Sequence, residues 1–176
     1  AIQALVRRDR QLPLSLGRAQ SHGFEYKRNG TLSLFAALNT ATGEVVGKTA
    51  QRHTSEQFVR FLEEIVADHD EDQQIHVICD NVSSHKTTLV QTWLLLTPNV
   101  HIHYTPTYSS WLNQVEIWFA KIQRDVIARG IFPSTKDLDK KIMRYIREHN
   151  KNSKPIRWKY NNPKHRITGN LIDSVN

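Results

Sequence analysis

Apolar residues recur at helical spacing most clearly at Phe58, Phe61, Leu62, Ile65 and Val66, which stand at i, i+3, i+4, i+7 and i+8. That stripe belongs to an amphipathic helix with one buried face. Thr54 precedes it as an N-cap, and Gln57 sits where a capping box would close. The polar side and exit of the helix carry Glu63, Glu64, Asp68, Asp70, Glu71 and Asp72, a solvated acidic surface. Upstream, Thr31 to Leu38 reads as a strand, Asn39 to Gly43 as a turn, and Glu44 to Ala50 as the return strand of a hairpin. Residues 6–29 are rich in Arg, Gly and turn formers and read as an irregular connection.

Ile75 to Cys79 is apolar at nearly every position and predicts a central strand covered on both faces. A helix is expected from about Thr87 to Leu96, stopped before Pro98, with Ser83 and Ser84 as its caps. Val100 to Tyr104 alternates as another strand. A further helix spans about Ser110 to Ala128, with Trp111, Val115, Trp118, Ile122 and Val126 on one stripe and Gly130 as its stop. The last begins at the Ser134 cap and buries Leu138, Ile142, Tyr145 and Ile146. An antiparallel hairpin followed by alternating strands and helices predicts an α/β fold with a mixed sheet flanked by helices.

Composition narrows the class. No stretch approaches the roughly 20 apolar residues of a membrane span, and no signal peptide is visible. The single cysteine, Cys79, excludes an internal disulfide and reads as a small core residue. A cytoplasmic location is expected. The net charge of +7 is unevenly spread: residues 1–120 hold 10 Lys/Arg against 12 Asp/Glu, a net of −2, whereas residues 121–176 hold 14 against 5, a net of +9. Such asymmetry points to a polyanionic partner for the C-terminal third.

Two acids stand in settings suited to chemistry. Asp80 closes the apolar run and is followed by Asn81-Val82-Ser83-Ser84-His85-Lys86. Ligands in open α/β sheets gather at such carboxyl ends of strands. Glu116 lies within Trp111-Leu112-Asn113-Gln114-Val115-Glu116, at the border of a helical apolar stripe. A carboxylate half-buried there is costly unless it is paired or bound to metal. Either acid alone has a plain structural reading, a turn or cap residue for Asp80 and a rim ion pair for Glu116. His101 and His103 share a strand face, but no third metal ligand stands at a matching spacing.

Together, Asp80 to Lys86 and the later His103-Tyr104-Thr105-Pro106-Thr107-Tyr108-Ser109-Ser110 leading into Trp111 to Glu116 resemble the catalytic core of DDE transposases. The nearest likeness is to the bacterial insertion-sequence branch of the mariner superfamily. The resemblance runs from Ala1 to about Trp158 and implies a ribonuclease H-like fold. In that family two Asp and a final Glu or Asp hold two Mg²⁺ (or Mn²⁺); Asp80 matches the second Asp and Glu116 the final Glu. The family's first Asp ends a strand just upstream of a segment like Ala1 to Leu5. That strand is therefore expected to be truncated here and the metal site incomplete. Asp9 and Glu25, the only acids among the first 43 residues, read as surface groups.

The resemblance implies DNA as partner, both element ends and target, and action in assemblies, with a homodimer as the simple case. Lys121, Arg124, Lys151, Lys154, Arg157 and Lys159 are candidate phosphate contacts, the last four interleaved with Trp158 and Tyr160. Asn81, His85 and Asn113 are expected to support the acids, His85 by approaching the scissile phosphate and Asn113 by orienting Glu116 or touching a phosphate. Residues 1–152 form the expected core and 153–176 a basic tail. Two other readings stay open: a non-catalytic DNA-binding or assembly module, and a ribonuclease H-like nuclease.

Overall fold

The computed structural model describes residues 2–8, 25–106 and 113–155. Strands β1 (Ile2–Arg8), β2 (Glu25–Leu38) and β3 (Val45–Ala50) form an antiparallel sheet in the order β1-β2-β3. Helix α1 (Ser55–Ala67), strand β4 (Ile75–Cys79), a 3₁₀ turn (Ser83–His85), helix α2 (Thr88–Leu96) and strand β5 (Val100–Tyr104) follow. β4 and β5 pair in parallel as a separate two-stranded sheet. Helix α3 (Val115–Ile122) runs into a π-helical turn (Gln123–Ile127), and helix α4 (Thr135–Lys151) closes the described fold. The chain is thus mixed α/β, with one antiparallel and one parallel sheet.

β2 is the keel of the molecule because its alternation serves two cores. Leu32, Leu34, Ala36 and Leu38 pack into a cluster with Trp118, Ile122, Phe132, Leu138, Ile142 and Ile146. Phe35 and Ala37 turn the other way, into a cluster with Phe58, Val59, Phe61, Leu62 and Val90. Val77 of β4 and Ile102 of β5 join that second cluster. The two sheets therefore share the layer of α1 and α2.

The caps act as the pattern predicts. Thr54 Oγ1 accepts the Gln57 N–H at 3.4 Å and Ser134 Oγ accepts the Asp137 N–H at 3.1 Å. Gly47 lets α4 lie close on β3, since a Cβ there would stand 2.3 Å from Ile146 Cδ1. Asn150 then clasps the hairpin, accepting the Val45 N–H and donating to its carbonyl, both at 2.9 Å.

Four expectations are corrected. Residues 6–8 and 25–29 are not irregular: they pair as the end of β1 and the first part of β2, where backbone hydrogen bonds join stretches rich in charged residues. β4 is covered on one face only, with Ile78 56% exposed and His76 exposed, because the described helices over it lie on one side. The long helix is interrupted by the π turn after Ile122, and its expected first residues, 110–112, lie outside the described part. Ser83 and Ser84 form the 3₁₀ turn, and Thr87 takes the N-cap position of α2.

Candidate metal and nucleic-acid site

Asp80 leaves the carboxyl end of β4 with its side chain 39% exposed. Glu116 stands in the first turn of α3, and it is exposed rather than half-buried as expected, because Val115, Trp118 and Ile122 take the buried face. Burial, and then the negative charge of Asp80, raises the Glu116 carboxyl above the ordinary carboxylate range. A negative charge within electrostatic reach disfavours the ionised form of a carboxyl. Both offer hard oxygen donors suited to Mg²⁺. Among the described residues no set of three His, Cys, Asp or Glu converges as a metal site, so the donors present fit part of a coordination shell.

The three supporting residues lie next to the acids in chain or in space. His85 is buried, 6% exposed, and its Nδ1 lies 3.1 Å from Asp80 Oδ1, so it faces the acid rather than an incoming phosphate. Asn113 is also buried, and its carbonyl accepts the Glu116 N–H at 3.1 Å, so it acts through the backbone at the start of α3. Asn81 is exposed beside Asp80. Cys79 is buried, and burial followed by the Asp80 charge pushes its thiol up to about 12.

His53 and His76 carried no sequence signal. His53 stacks on Phe35 at 4.5 Å and lies 5.5 Å from the His85 ring. His76 stands opposite His101 in the β4–β5 register and hydrogen-bonds His103, Nδ1 to Nε2, at 2.9 Å. Parallel pairing of two strands brings these rings together, which no local spacing could reveal.

Of the six candidate phosphate contacts, Lys121, Arg124 and Lys154 line one groove of about 660 Å³ with Trp118, His149 and Asn152. Arg124 is tied to Asp125 at 2.9 Å, and Lys151 is tied to Glu148 at 2.8 Å. Arg157 and Lys159, with Trp158 and Tyr160, lie outside the described residues.

Residues 4–139 match the family described as DDE superfamily endonuclease. That span is more than half of the chain, and the protein belongs to this family, as the motifs around Asp80 and Glu116 imply. The insertion element IS630 uncharacterized 39 kDa protein of Shigella sonnei is 33% identical over 104 residues, 58% of this chain. The match covers 30% of that relative, so the chain aligns with less than a third of it. A chain in the cryo-EM structure of the simian T-cell lymphotropic virus intasome in complex with PP2A regulatory subunit B56 gamma is similar over 72% of this chain and 44% of its own length. Its TM-score is 0.43 and its identity 14%. No helix among the described residues is long and apolar enough to cross a membrane.

Proposed function

We propose that this chain is the catalytic-type core of a DNA transposase of ribonuclease H-like architecture, with Asp80 and Glu116 as metal ligands at the scissile phosphate. What supports this reading is the family match over residues 4–139 together with the placement of one acid just after a strand, Asp80 beyond β4, and the other in the first turn of a helix, Glu116 of α3. When bound, divalent cations would activate the attacking oxygen and steady the leaving one. The chain's own part is to aim two carboxylates and to keep Lys121, Arg124 and Lys154 along one groove for the DNA backbone. With two acids converging among the described residues, residues 1–176 alone should show weak or absent strand cleavage. Residues 1–152 serve as the core and 153–176 as a basic tail that adds to DNA affinity.

Calorimetry with Mn²⁺ on this chain and on Asp80→Ala tests the reading. Binding that is abolished in the variant supports the site, whereas equal binding in both places the metal elsewhere. Robust Mg²⁺-dependent cleavage that disappears in Glu116→Gln would overturn the expectation of weak catalysis. The basic groove favours a second reading, a non-catalytic DNA-binding module, which leads if neither protein binds Mn²⁺ yet DNA is retained.

A further inference from the structure

We propose that His85 and His53 are positioning residues that hold the Asp80 carboxylate in one orientation and tie it to the first sheet, a role that rests on Asp80 as the acting acid. His85 Nδ1 has two neighbours, Asp80 Oδ1 at 3.1 Å and the Asp80 carbonyl oxygen at 3.4 Å. Both can only accept, so Nδ1 carries the hydrogen. With Oδ1 held from behind, Oδ2 is the oxygen left for a cation, as in sites where an outer group fixes a ligating side chain.

The imidazole has little freedom to do otherwise. Its ring stacks on Phe58 of α1 at 4.0 Å, and its own carbonyl accepts the Tyr104 hydroxyl at 2.7 Å. The His53 ring lies 5.5 Å from that of His85, tilted to it, and stacks on Phe35 of β2 at 4.5 Å with the rings 9° apart. Phe35, His53, His85 and Phe58 thus form a continuous run of rings. The run leads from the antiparallel sheet to the end of β4, and no strand pairing among the described residues joins those two sheets. Glu116 rides on α3 against the first sheet and Asp80 on the second. Beside the shared apolar cluster, the ring run is the side-chain link that reaches Asp80 itself.

The test uses two readouts on the full chain. In the metal-free protein, ¹⁵N-edited NMR should find neutral His85 as the Nδ1–H tautomer, with that preference weakened in Asp80→Ala, which keeps only the main-chain carbonyl of residue 80 as acceptor. In Mn²⁺ titrations, His85→Ala should weaken binding by about 10- to 100-fold. His85→Asn, whose amide puts a donor near the Nδ1 position, should stay within a few-fold of the parent and remain folded. His53→Phe, which keeps the ring run, should bind Mn²⁺ better than His53→Ala. An Nε2–H tautomer overturns the proposal, and so does a folded His85→Ala that binds Mn²⁺ like the parent. If the parent binds no Mn²⁺, the metal reading fails, while an Nδ1–H tautomer that depends on Asp80 still supports the positioning role.

Discussion

Folding works against the charge on Glu116. Burial and the neighbouring Asp80 hold its carboxyl above the ordinary range, so the folded chain binds that proton more tightly than the unfolded chain does. The group's contribution to stability is fully present below the ordinary carboxylate pKa and is lost as pH rises through the raised value. Glu116→Gln should therefore raise the metal-free Tm at pH 7, and only slightly, because solvent screens so exposed a group. The difference from the parent should shrink below about pH 4. Scanning fluorimetry over pH checks this, and a lower Tm at pH 7 would mean that the carboxylate has a favourable partner. Cys79, its thiol pushed up to about 12, should resist a thiol reagent at pH 8 until denaturant is added. At this scale the acids were legible because strand end and helix stripe each fix one residue's setting. The histidines around them were not. His85 reads as a loop residue until the turn folds it beneath Asp80, and His53 gains its neighbours only through β2 and the 3₁₀ turn.

Helices α1 and α4 were legible because cap and stripe coincide in each. α4 also carries the heavier packing, with Leu138 and Ile142 fully buried. Leu138→Ala should cost about 2–5 kcal/mol, and Ser134→Ala about 1 kcal/mol, in urea denaturation. A cost near zero for Leu138→Ala would mean that the cluster around Trp118 collapses to fill the gap. β1 and the first half of β2 escaped the pattern. Lys27 and Arg28 are exposed there, and pairing rests on backbone groups that composition does not reveal. The π turn escaped too, because Gln123 to Ile127 keeps an ordinary helical composition. An apolar run such as Ile75 to Cys79 signals a strand but not how many of its faces are covered.

For the molecule as a whole, the charge asymmetry becomes a binding expectation. A short duplex should bind with affinity that falls steeply with salt. Replacing Lys121, Arg124 and Lys154 by Gln should weaken binding alike across sequences. It should also reduce the salt slope by about 1 for each phosphate that is no longer neutralised. An unchanged slope would move the DNA path away from the groove. The fold class was readable from the order of elements, whereas the division into two sheets was not, since it depends on which strands lie side by side. That division has a colloidal consequence. Beyond Leu32 the β1-side edge of β2 has no strand partner among the described residues, and neither does the edge of β4 away from β5. A strand edge without a strand partner beside the open Ile78 face makes a template for another chain's strand. Concentrated solutions of this chain should therefore self-associate edge to edge, and a charged residue at Ile78 should keep them dispersed.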